Sequence, residues 1–89
     1  MNKLPLLAGR VARSTAGRDQ GRPFLVIKEL DDDFVLMADG SLRKLDRPKK
    51  KRRKHLRALD LCLADRELQS IEDHQIRKLL EPFKPHEEG

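Results

Sequence analysis

Apolar residues fall into short runs of four or five positions along most of the chain, and a helical spacing emerges only near the C-terminus. Gly9-Arg10-Val11-Ala12-Arg13 alternates in part and predicts a first strand. Ser14 to Gln20 is small and polar and reads as a loop. Phe24-Leu25-Val26-Ile27 has strand composition and is too short for a helix on its own. Pro23 at its head is tolerable, because a first strand residue need not donate to a ladder. Asp31-Asp32-Asp33 predicts a turn, and Phe34 to Ala38 a third strand. Asp39-Gly40 has the chemistry of a two-residue type I′ turn, so Ser41 to Leu45 is expected to return as the fourth strand. Pro48 stops regular pairing there, and His55 to Leu59 reads as a fifth strand. Five short strands with turns at this spacing predict a mostly β fold, a small barrel or sandwich. Closing such a short sheet would spare it two exposed edges.

Residues 62–69 read as a linker. Ser70 is a candidate helix N-cap, with Asp73 three residues on in the manner of a capping box. Ile76, Leu79, Leu80 and Phe83 then follow the i, i+3, i+4, i+7 rule of one helical face, and Pro82 and Pro85 end it. The organisation expected is a β domain over 1–61, with a basic loop at 43–57, then the linker, a helix over 70–83 and a tail over 84–89. A helix this short is unstable alone, so its apolar stripe is expected to dock on the barrel or, failing that, on a partner.

Charge changes the picture. The 89 residues include 20 Lys and Arg against 15 Asp and Glu, and the excess is uneven. Between Arg43 and Arg57 stand ten basic residues and one acid, Asp46. Lys49-Lys50-Lys51-Arg52-Arg53-Lys54 is unbroken, a block that repels itself; lying mid-chain it reads as a polyanion site rather than a tail, the alternative being a merely solvated loop. With no Trp, no Tyr and three Phe, a stacking platform for single-stranded nucleic acid is disfavoured. No apolar run reaches the roughly 18 residues of a membrane span. The apolar patch of the first ten residues is too short for a secretory signal. Cys62 is the only cysteine, so no intrachain disulfide can form, and the cytoplasm is the default location. A polybasic patch can also hold a protein to anionic lipid, but no lipidation motif supplies a second anchor.

Gly17-Arg18-Asp19-Gln20-Gly21-Arg22 has a physical logic of its own. Two glycines four apart let a loop turn tightly, while Arg18 and Arg22 add charges that fork onto phosphate oxygens. Together with Gly9-Arg10-Val11 and Phe24 to Ile27, this stretch resembles the KOW motif of ribosomal proteins and transcription elongation factors. Ala38-Asp39-Gly40-Ser41-Leu42-Arg43-Lys44-Leu45, Arg47-Pro48 and the basic block to His55-Leu56 look like the small bacterial KOW-domain RNA-binding proteins. These are similar to KOW-containing proteins of the archaeal and eukaryotic large ribosomal subunit. Asp73 to Leu80 looks like that family's tail helix. The resemblance covers roughly residues 9–81. It implies an SH3-like barrel that binds ribosomal RNA without catalysis. Carried over, Arg13, Ser14, Gly17, Arg18, Gly21 and Arg22 would form the RNA-facing loop, with Gly21 the position the motif most requires. Arg43, Lys44, Arg47, Lys49, Lys50, Lys51, Arg52, Arg53, Lys54 and Arg57 would add a polybasic surface. Pro23 departs from the generic motif, where a residue with an amide is common. The rival reading is a protein-interaction module docking on a ribosomal protein or RNA polymerase, with the basic run auxiliary.

Other chemistry is not expected. His55, His74 and His86 lack metal-ligand spacing. Cys62 between Leu61 and Leu63 reads as a small buried hydrophobe rather than a nucleophile. Asp31 to Asp33 lacks the Gly and Glu of a calcium loop. Gly17-x-x-x-Gly21 lacks the Lys-Ser/Thr that would hold a nucleotide. Neither a catalytic group nor a cofactor or metal is expected, and no small-molecule substrate.

Overall fold

The computed structural model describes residues 4–85. Five strands form one antiparallel sheet: β1 (Arg10–Ser14), β2 (Pro23–Glu29), β3 (Phe34–Ala38), β4 (Lys49–Arg52) and β5 (Leu56–Cys62), in the order β4-β3-β2-β1-β5. Two short helices follow, α1 (Asp65–Ser70) and α2 (Asp73–Leu80), then a 3-10 turn, Glu81–Phe83. The fold is mostly β with a C-terminal helical end, as the sequence predicts, although two short helices stand where one was expected. The two edge strands are consecutive in the chain, joined by the 3-10 turn Arg53–His55. The amide of Thr15 donates to the carbonyl of His55 at 2.9 Å, which holds that turn against the end of β1. Strands β4 and β5 share no ladder, so the barrel is open along that seam.

The sheet buries residues on both faces of its central strands, and strand alternation sorts them between two cores. Ala12, Phe24, Val26, Val35, Met37 and Leu56 meet on the inner face. Val11, Leu25 and Ala38 point the other way and receive Ile76 and Leu80 of α2. Strand β2 is therefore covered on both sides from Pro23 to Val26, which is why it reads as a continuous apolar run rather than an alternation. The register shifts between Val26 and Lys28, a bulge that sets Lys28 opposite Leu36. The α2 stripe docks on its own sheet. The helical spacing predicts this need, because α2 has only eight residues.

Several expectations are corrected. Ser41 to Leu45 is not a strand. Asp39 Oδ1 accepts from the amides of Ser41 at 2.9 Å and Arg43 at 2.8 Å, the donors a returning ladder would use. The amides of Asp39 and Gly40 both donate to the Arg43 carbonyl, so the chain curls into an open loop. The fourth strand is instead the basic block, with Met37 opposite Lys49, Leu36 opposite Lys50, Val35 opposite Lys51 and Phe34 opposite Arg52. Most of the expected linker is helical, since Asp65–Ser70 form α1, with Glu67 Oε1 accepting from the Ala64 amide at 3.1 Å. Ser70 ends α1 and does not cap α2, and its hydroxyl donates back to the carbonyl of Arg66 at 3.3 Å. The entry of α2 is held by Gln75 Oε1, which accepts from the Glu72 amide at 2.9 Å. Pro82 lies in the first positions of the closing 3-10 turn, where its missing N–H costs nothing. The end of the expected tail, 86–89, lies outside the described residues. Among the described residues no helix is long and apolar enough to cross a membrane.

Candidate nucleic-acid interface

The β1–β2 loop is a tight structure. The amide of Ser14 donates to the Arg22 carbonyl at 2.9 Å and that of Gly21 to the Ser14 carbonyl at 2.8 Å, which carries the hairpin to its tip. The chain then winds through a 3-10 turn, Gly17–Asp19, with Gly17 and Gly21 at φ +77° and +88°, where a side chain would be strained. Ser14 is corrected as a contact residue: it is 1% exposed, and its hydroxyl donates to the Ala16 carbonyl at 3.1 Å. Arg13 Nη1 donates to the Gly21 carbonyl at 2.8 Å, so this guanidinium supports the loop. Arg18 and Arg22 are exposed.

Strand alternation divides the basic block. Lys49 and Lys51 lie on one face and turn to the β1–β2 loop. Lys49 Nζ pairs with Asp19 Oδ2 at 2.5 Å, and Lys51 Nζ donates to the Ala16 carbonyl at 3.2 Å. The hydrogen bond from Lys49 is the main reason the Asp19 carboxyl lies below its ordinary value, and the charges of Lys49, Lys51 and Arg43 add to it. Lys50 and Arg52 lie on the opposite face. The Lys50 ammonium stands 4.4 Å and the Arg52 guanidinium 5.1 Å from the centre of the Phe34 ring. Arg53 leaves the strand and is taken up by the fold, donating to the Asp31 carbonyl at 2.9 Å and to Glu29 Oε1 at 3.0 Å. Lys54 is exposed.

Arg57 sits directly opposite Arg13 on the β1–β5 ladder, a like-charge pair that a sheet ordinarily avoids. Arg43, Lys44 and Arg47 are exposed on the connection between β3 and β4. The fold thus joins the glycine loop to the basic block through Lys49 and Lys51. It leaves Arg43, Lys44 and Arg47 on a separate loop.

Sequence reasoning missed Asp19 as the anchor of the loop, Phe34 as the ring beneath two cations, and the ties of α2 to the β3–β4 connection, where Asp73 Oδ1 accepts from the Leu45 amide and Arg77 donates to the Gly40 carbonyl. The alternation of Lys49 and Lys51 against Lys50 and Arg52 was available as a signal once the block is read as a strand. Asp31 also acts locally, not as a cation ligand. Its Oδ1 accepts from the amides of Asp33 at 2.8 Å and Phe34 at 2.7 Å, and these two bonds lower its carboxyl from the ordinary value.

Among the described residues no group of three His, Cys, Asp or Glu side chains is placed to hold a metal ion. His74 Nδ1 lies 3.3 Å from Glu72 Oε2, His55 is half-buried in the turn between β4 and β5, and His86 lies outside the described residues. Cys62 is exposed, not buried, because β5 turns its last residue outward. Compared with known proteins, the chain matches no family model, and no curated protein matches it in sequence.

Proposed function

We propose that this protein binds RNA without catalysis, that its target is ribosomal RNA, and that it works in the cytoplasm, alone or beside ribosomal proteins. One observation carries the reading. Of the ten basic residues between Arg43 and Arg57, only Lys49 and Arg53 have a carboxylate within ion-pair distance among the described residues. Uncompensated cations on a folded surface favour a polyanion, and counterion release from its phosphates supplies the affinity. The Arg13–Arg57 pair supports the same reading, since an anion between the two side chains would relieve their repulsion. The resemblance to KOW-domain proteins selects RNA, and ribosomal RNA within it. The scarcity of aromatic rings fits recognition of folded RNA shape. The rival reading places a partner on the barrel or on the α2 stripe; Ile76 and Leu80 of the stripe are buried on the sheet, which leaves the barrel surface for that reading.

Crosslinking in cells followed by sequencing of the bound RNA tests the target. Enrichment of ribosomal RNA is expected, and a spread without it would remove the ribosomal part. In vitro, log K should fall with log salt by about 0.7–0.9 per neutralised phosphate. Replacing Lys50, Arg52 and Lys54 by Gln should flatten that slope on every RNA. Lys49→Gln should act mainly through the loop it holds.

A further inference from the structure

Leu42, on the connection between β3 and β4, is 69% exposed, more than any other large apolar side chain among the described residues. One exposed leucine on a slack loop would mean nothing. This loop is not slack. Asp39 Oδ1 accepts two amides on either side of Leu42, those of Ser41 and Arg43. Arg77 Nη1 donates to the Gly40 carbonyl at 2.6 Å, and the Leu45 amide donates to Asp73 Oδ1 at 2.8 Å. Gly40, at φ +79°, lies so close to α2 that a Cβ there would collide with the Asp73 carbonyl. The backbone on both sides of Leu42 is tied down, and the side chain is held out in water, between Ser41 and the exposed Arg43.

Leu42 also stands on the wall of a cleft of about 440 Å³ between the start of β2 and the end of α2. Its exposed apolar lining is Leu42 and Pro85, above the buried Pro23 and Leu80, and Arg22, Arg77 and Lys84 are its cations. Most of its charged groups are engaged: Asp39 Oδ1 holds the loop, Arg77 donates to the Gly40 carbonyl, and Glu81 Oε2 and Lys84 pair with each other at 3.3 Å. Clefts that hold small ligands begin at about 300 Å³, so this one is within that range. The binding loop contributes Arg22, and the β3–β4 connection contributes Leu42. Two segments that the proposed function gives to RNA converge here.

We infer that the cleft takes one unpaired nucleotide of the bound RNA, with the base against Leu42 and the phosphate toward Arg22. The inference rests on the RNA reading and names the part of the RNA that is recognised. A base face is apolar and needs cover once it leaves its stack. Where exposed aromatic rings are scarce, an aliphatic wedge can provide that cover, as leucine does in other nucleic-acid complexes.

The test uses the full chain and two RNA hairpins. One carries a single bulged 2-aminopurine nucleotide, and the other is fully paired. The parent protein should bind the bulged hairpin more tightly and change its fluorescence. Leu42→Ala should lose about tenfold in affinity for the bulged hairpin, the value of a few buried carbons. It should leave the paired hairpin, the salt slope and the melting temperature unchanged. Equal affinity of the parent for both hairpins overturns the inference, and so does an equal loss on both with Leu42→Ala. If the parent shows no salt-dependent binding to either hairpin, the RNA reading itself fails, and the ligand of the cleft goes with it.

Discussion

The carboxylate of Asp73, in the first turn of α2, accepts a hydrogen bond from the backbone amide of Leu45 at 2.8 Å. Arg77, one turn later on the same helix, reaches the Gly40 carbonyl. Helix α2 thus buries one face on the sheet through Ile76 and Leu80, and with another it fixes the loop that carries Arg43 and Lys44. Stability of the C-terminal helix and geometry of a basic loop are therefore coupled.

Gly40→Ala tests that coupling. The new methyl group would be held at positive φ, costing about 1–2 kcal/mol, and would be driven into the Asp73 carbonyl. The melting temperature should fall by at least several degrees, given about 4–8 °C per kcal/mol for a domain of this size. An unchanged melting temperature would show that the loop is not seated on α2.

Leu80→Ala removes a side chain that is 1% exposed, at the centre of the outer-face core. A loss of about 2–5 kcal/mol is expected in denaturant unfolding of the whole chain. Leu79→Ala, at a half-buried position on the edge of the same cluster, should cost less. No shift with Leu80→Ala would mean that α2 is not docked on the sheet in solution.

The glycines at the two ends of β1 separate conformational strain from crowding. At Gly21, φ is +88° but an added Cβ meets nothing within 4 Å, so Gly21→Ala should cost only the left-handed backbone, about 1–2 kcal/mol. At Gly9, φ is +97° and the Cβ would come within 2.5 Å of the Leu63 carbonyl oxygen, so Gly9→Ala should cost more. Urea unfolding of the two variants gives the order directly, and the reverse order would contradict the packing described for Gly9 and Leu63.

The Lys49–Asp19 pair predicts a response to acid. Its partner holds the Asp19 carboxyl below the ordinary value of 3.8 in the folded chain. The associated stability is therefore fully present above that ordinary value. It is lost as pH falls through the lowered folded value. Relative to the intrinsic exchange rate at each pH, protection of the hydrogen-bonded amides of Gln20 and Gly21 should fall over that acid range in the parent. In Asp19→Asn these amides should be less protected already at neutral pH, with little further change on acidification. Asp31 is lowered as well, so a loop response that persists unaltered in Asp19→Asn would assign it to the Asp31 turn instead.

Four of the five strands are legible in the chain, because Val11, Phe24 to Ile27, Val35, Met37 and Leu56 are apolar at strand spacing and carry the local preference themselves. The same holds for the face of α2, where Ile76 and Leu80 repeat at helical spacing and end up buried. The excess of cations between Arg43 and Arg57 is likewise a property of the sequence. Which of those cations are free is not. Lys49 meets Asp19, 30 residues away, only because β4 lies at the sheet edge beside the β1–β2 loop. The block becomes a strand because β3 offers it a ladder, and pairing there overrides the repulsion that six adjacent charges suggest. Asp39-Gly40 has hairpin chemistry, yet the Asp39 carboxylate and the grip of α2 on Gly40 turn the chain into a loop. Local spacing determined where strands and a helix could form and which face of each was apolar. Long-range contact alone decided which charges were spent in holding the fold and which were left to solvent.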